Sequence, residues 1–202
     1  MNRALLLSVL LTPFLVQAIE PISAPAEILS KKLDAMEVEK HWISGAIVDW
    51  RTGDPSGKTI TDIGKHTHCS QFVAATCERL GVYILRPPEH SPTLLANAQY
   101  DWLHDAGRDA GWSPVASGVE AQDQANRGRI VVAVYKNHDQ KKSGHIAIVR
   151  PDQKSEAEIS QNGPTVIQAG GTNYNQTTLR KGFANHPNGF EEIRFFSHPI
   201  PQ

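Results

Sequence analysis

Apolar residues recur at helical spacing through the first half of the chain and in extended runs through the second. Ile28, Leu29, Leu33 and Met36, with charges between them, predict an N-terminal helix within Ala24 to Trp42. Ile43 to Trp50 is a short apolar run that reads as a strand or an extended segment. Asp54-Pro55-Ser56-Gly57 is a turn. Ser70 to Leu80 reads as a second helix, with Phe72, Val73, Cys77 and Leu80 inward and Gly81 in the stop position. Arg86-Pro87-Pro88 breaks the pattern. Ser91 and Pro92 then supply the cap and first residue of a third helix, whose buried stripe is Leu94, Leu95, Ala98, Trp102 and Leu103. Val119 to Ala125 is one more short helix.

From Arg129 onward the pattern becomes extended. Ile130 to Tyr135 and His145 to Arg150 are two apolar strand-like runs. Glu158 to Gln161 and Thr165 to Ala169 flank Asn162-Gly163, which predicts a hairpin. Glu192 to Ser197 is a last strand. Helices first and strands afterwards, with short links and no βαβ crossover, predict an α+β fold with helices packed on an antiparallel sheet.

The first residues change the picture of where this chain works. Arg3 followed by the mostly apolar Ala4 to Val16, ending in Val16-Gln17-Ala18, reads as a secretory signal over residues 1–18. The apolar run is short for a membrane span, and no cysteine follows the expected cut, so no membrane anchor is expected after cleavage. The expected location is periplasmic or secreted. The net charge is −1 and no basic stripe appears, which argues against nucleic acid as a partner.

An exported chain with two cysteines raises the question of a disulfide. Cys69 and Cys77 fall on one predicted helix, about 12 Å apart by helical rise. A bridge needs Cα atoms within about 7 Å, so both thiols are expected to be free. Cys77 reads as a small core residue. Cys69 sits where a polar loop turns into the helix, at the positive end of its dipole, where thiolate is favoured.

Amide hydrolysis by a cysteine needs a base for the thiol proton, a polar group to orient that base, and donors for the oxyanion. His145, opening a strand after Gly144, is the candidate base. Strand alternation puts it on one face with Ala147 and Val149, small residues against which the Cys69 helix would pack, while Gly144 leaves room for the ring. Gln168, on the next long strand and on the face of Val166, is the candidate third member. Asn173 and Asn175 are its rivals. The backbone N–H of Cys69 is the expected oxyanion donor.

The sequence Cys69-Ser70-Gln71-Phe72-Val73, followed by Ser143-Gly144-His145-Ile146-Ala147-Ile148-Val149, resembles the NlpC and CHAP superfamily of papain-like cysteine peptidoglycan hydrolases. Asn126 to Ala133 resembles the strand preceding the family's histidine. Val166-Ile167-Gln168-Ala169 occupies the place of its third catalytic residue. The resemblance covers roughly residues 60–175 and implies a papain-like catalytic domain over 59–202, preceded by a helix and extended segment over 19–58. It implies an amidase or endopeptidase acting on peptidoglycan or its stem peptides, without a cofactor. Cys69, His145 and Gln168 would be catalytic. Two features depart from the family. His68 stands where relatives often carry Asp or Asn, and the stretch between Cys69 and His145 is long.

His66, His68 and Cys69 also have the makings of a metal site, with His41, His90 or His145 as a further ligand. The alternative reading is therefore a non-catalytic metal-binding or wall-binding protein. Trp42, Trp50 and Tyr83 read as core, whereas Trp112, in a Gly-rich loop, is expected to line a groove. Lys141 and Lys142 read as a solvated turn.

Overall fold

A computed structural model describes residues 19–58, 67–186 and 189–201. The segment read as a secretory signal, residues 1–18, and His66 lie outside the described residues. The chain folds as α+β, with helices packed on a six-stranded antiparallel sheet. Its elements are α1 (Ala24–Asp34), α2 (Cys69–Arg79), α3 (Leu95–His104), β1 (Ser113–Val115), α4 (Gly118–Asn126), β2 (Ile130–Tyr135) and β3 (His145–Val149). They continue with α5 (Glu156–Asn162), β4 (Thr165–Gln168), β5 (Tyr174–Thr178), α6 (Leu179–Gly182), α7 (Gly189–Glu192) and β6 (Arg194–His198). The strand order is β1-β6-β2-β3-β4-β5. Among the described residues, no helix is long and apolar enough to cross a membrane.

The central strands β2 and β3 are buried along their whole length, because both sheet faces are covered. On one face Val132, Val134, Ile146, Ile148 and Ile167 pack with Phe72, Val73 and Cys77 of α2 and with Leu29, Leu33, Met36 and Trp42. On the other face Val131, Ala133, Ala147, Val149 and Val166 pack with Ala121 and Ala125 of α4 and with Leu179 and Phe183. The N-terminal helix thus shares the apolar cluster that holds α2. Arg150, the residue after β3, and Asp34 of α1 reinforce this contact with an ion pair at 2.7 Å.

Several local readings are corrected. The first helix ends at Asp34, and Ile28 faces solvent, leaving Ala26, Leu29 and Leu33 as the buried stripe. Ile43 to Trp50 forms no strand beyond a single bridge between Val48 and Pro55. Ser91 caps only a local turn to the Thr93 amide. The α3 helix starts at Leu95, behind a left-handed Leu94 with φ 56°. Its buried stripe is rotated, because Asn97 and Gln99 go inward to satisfy loop backbone while Ala98 is exposed. Trp112 is core rather than groove, with its indole N–H donating to Tyr83 O at 2.8 Å. Tyr83 itself is exposed.

The expected hairpin at Asn162-Gly163 is absent. Ser155 and Glu158 form a capping box, which starts a helix over Glu156–Asn162, and Gly163 ends it at φ 74°. Local capping chemistry therefore outweighs the Asn-Gly turn signal.

Candidate active site

The first turn of α2 carries Cys69. Its neighbour His68 is the N-cap, and Gly81, at φ 70°, follows the helix end. Cys69 and Cys77 are both free and buried. The α2 face is apolar, and Phe72 and Val73 anchor it to the sheet, so the position of the thiol is set by core packing. Gln99 of α3 donates to Ser70 O at 3.2 Å and ties the same turn to its neighbour.

His145 opens β3. It shares the face of Ala147 and Val149 as alternation requires, but that face is not the one α2 covers. The α2 cluster contains Ile146 and Ile148 instead. Cys69 therefore does not pack on the small residues beside His145. Its sulfur lies instead at the start of the strand, where the Ile146 amide donates to it. The backbone N–H groups of Ser70 and Cys69 point to the same sulfur.

A clamp sets the approach to His145. Asn97 Oδ1 accepts from Gly144 N at 2.8 Å and from Asn137 N at 3.1 Å, while its Nδ2 donates to Lys142 O at 2.9 Å. The glycine at 144 makes space for this clamp rather than for the ring. A Cβ there would collide with the Tyr135 carbonyl oxygen and lie 2.6 Å from Asn97 Oδ1.

His145 Nε2 meets Gln168 Oε1 at 2.9 Å, and both residues are buried. The carbonyl oxygen of a side-chain amide can only accept, so Nε2 carries the proton and Nδ1 keeps its lone pair. Gln168 Nε2 donates to Thr172 O at 3.3 Å, which fixes the amide in that orientation. The pairing distinguishes Gln168 from its rivals. Asn173 spends its side chain on backbone groups, and Asn175 donates to Asp34 and accepts from Arg150.

The ring of His145 meets Phe183 edge-on, with centroids 4.6 Å apart. It stacks on His186 at 5.1 Å, with the planes 19° apart. His186 is an unforeseen neighbour. It follows a short helix on a distant part of the chain, and the sequence carries no periodic signal that links it to β3.

The electrostatics reverse one expectation. Burial pushes the Cys69 thiol up, and it outweighs the three backbone amides that pull the other way. Burial likewise pushes His145 down to about 4, against a smaller opposing effect from Gln168. His186 is lowered to about 4 by burial and by the charge His145 would carry. The resting site is therefore neutral thiol and neutral imidazole. The helix dipole does not produce a standing thiolate, because water is excluded from the sulfur.

Of the three residues forecast for the site, His145 and Gln168 come together, and the sulfur of Cys69 meets the backbone of the residue after His145. The described residues include no hydrogen bond between the sulfur and the ring. No family model and no curated protein matches this chain. The chemistry must be read from the geometry alone.

A groove of about 400 Å³ runs beside this centre, lined in part by His68, Ser70, Gln71, Thr93, Leu94 and Ser143. It borders Cys69 on both sequence neighbours and comes within two residues of His145. Both nitrogens of His68 are engaged, one with Gln71 Oε1 and one with Ala46 O, each at 2.8 Å. Among the described residues, no group of three His, Cys, Asp or Glu side chains could hold a metal ion.

Proposed function

We propose that the protein is an exported cysteine hydrolase that cleaves amide bonds of peptidoglycan stem peptides, using Cys69, His145 and Gln168. The observation that carries this reading is the short bond from His145 Nε2 to Gln168 Oε1, at the strand start where Cys69 abuts Ile146. That arrangement supports a neutral imidazole of fixed tautomer with an unprotonated Nδ1, on the strand whose next residue touches the buried thiol. The peptidoglycan substrate and the export rest on the family resemblance and on the signal segment.

The chemistry follows from the neutral resting pair. The imidazole turns its Nδ1 toward the sulfur and takes the thiol proton as the sulfur attacks the amide carbon. A tetrahedral oxyanion forms, and the backbone N–H of Cys69 at the helix start is its donor. The C–N bond breaks, and the amine leaves with the proton carried by His145. Water then loses a proton to His145 and attacks the thioester. The acid departs and the thiol regains its proton. Gln168 orients the ring throughout. No cofactor enters these steps.

The occupied nitrogens of His68 argue against the metal-binding alternative. The test is digestion of purified sacculi by the wild-type protein and by Cys69→Ala, with soluble fragments identified by mass spectrometry. Wild type should release fragments with new stem-peptide termini, and Cys69→Ala should release none while keeping its fold. Fragments at the wild-type rate from Cys69→Ala, or none from the wild type, would overturn the reading.

A further inference from the structure

Asn173 lies in the loop that links β4 to β5, two residues beyond Gly171. Its hydrogen bonds run in two directions. Toward the N-terminal segment, Nδ2 donates to Val38 O at 2.7 Å and His41 O at 2.8 Å, with Trp42 O at 3.3 Å. Toward its own loop, Oδ1 accepts from Gly170 N at 3.0 Å. Every partner is backbone of fixed polarity, so the amide can be placed only one way round. The N-terminal partners are themselves firmly held, since Trp42 is fully buried and packs edge-on against Phe72 of α2 at 5.3 Å.

The loop held by Asn173 meets the imidazole once directly and once through Gln168. Gly170 lies close against the ring, since a Cβ there would sit 3.4 Å from His145 Cε1 and 3.2 Å from Gln168 Nε2. Thr172 O accepts the bond that sets the orientation of the Gln168 amide. A continuous path therefore runs from the α2 core through Trp42 and Asn173 to the loop, and from the loop through Gln168 to His145 Nε2.

We propose that Asn173 is a positioning residue for His145: it holds the Gly170 to Thr172 loop against the N-terminal segment, and through Gln168 it fixes which ring nitrogen carries the proton. This rests on the reading of His145 as the base. The segment before α2 thereby becomes part of the catalytic apparatus, because its backbone anchors the loop. Asn173 touches neither substrate nor thiol and acts only through its neighbours.

The experiment measures the His145 tautomer directly, by ¹⁵N chemical shifts of the imidazole at neutral pH in the full chain. The variants are Asn173→Ala, Gln168→Ala and the double substitution. Wild type should be predominantly protonated at Nε2. Asn173→Ala should lower the Nε2-H to Nδ1-H ratio by roughly threefold to tenfold, the worth of one net hydrogen bond. In the Gln168→Ala background the same substitution should lose more than half of that effect, because the path is already cut. An unchanged ratio in Asn173→Ala overturns the proposal, and so does an equal effect in both backgrounds. Should Asn173→Ala fold poorly, Asn173→Ser is judged by the same ratios. The tautomer is independent of turnover. Failure of Cys69→Ala to abolish sacculus digestion would sink the proposed function and leave this measurement standing.

Discussion

On the α2 face of the sheet, Phe72, Ile146, Ile148 and Ile167 join Leu29 and Trp42 in one large aliphatic and aromatic cluster. On the α4 and α6 face, the packing around Ala147, Val149 and Phe183 is inlaid with polar groups, with His145 against Phe183 and Gln168 beside Val166. Cys69 belongs to the first face, and His145 with Gln168 belongs to the second. The sulfur touches the β3 backbone at Ile146, one residue beyond His145. The thiol is fixed by close packing, and the imidazole is held by a hydrogen bond and ring contacts. The difference suggests a division of labour, in which the sulfur's place depends on core volume and the ring's state depends on a few polar partners.

The strongest test of that division is a pair of truncations. Phe72→Ala and Phe183→Ala each remove a buried ring, one from each face, and each should cost about 3–5 kcal/mol in urea unfolding. Only Phe183→Ala should raise the His145 pKa, read by NMR titration, because it lets water reach the imidazole. An equal rise in both variants would break the comparison.

A smaller effect is expected in acid. His145 titrates near 4 in the folded protein against an ordinary 6.5, so it stays neutral when folded and takes a proton when unfolded. Its contribution to stability is complete above about pH 6.5 and is lost as pH falls toward 4, amounting to about 3 kcal/mol. His145→Gln should flatten that part of the profile. A wild-type stability that holds level from pH 6.5 to 4 would count against a desolvated imidazole.

The smallest effect sharpens the polar face itself. His186→Phe keeps a flat ring stacked on His145 but removes its charge. The His145 pKa should move up slightly, since a neighbour that also protonates near 4 is gone. Unfolding midpoints should barely change. A downward move, or none, would show that His186 acts on His145 by packing alone.

Much of this architecture was legible in the chain. The α2 helix was readable from Phe72, Val73, Cys77 and Leu80 together with the Gly81 stop, and β2 and β3 from unbroken apolar runs. Placing Cys69 at a helix start and His145 at a strand start needed nothing beyond those boundaries. The face that α2 covers was misread because alternation separates residues into two sets without saying what lies over each. The helix at Glu156–Asn162 was missed because a capping box and an Asn-Gly turn compete at neighbouring positions, and packing of Ile159 favours the first.

The sequence alone determined the elements and the residue types at their ends, because periodicity, caps and stops act within a few residues of one another. Tertiary structure decided the rest: Gln168 rather than Asn173 on the imidazole, the burial of Trp112, the presence of His186 and the neutral state of the thiol. Those outcomes depend on which distant groups exclude water from a side chain and which of them offer it a hydrogen bond. Local spacing carries no information about either.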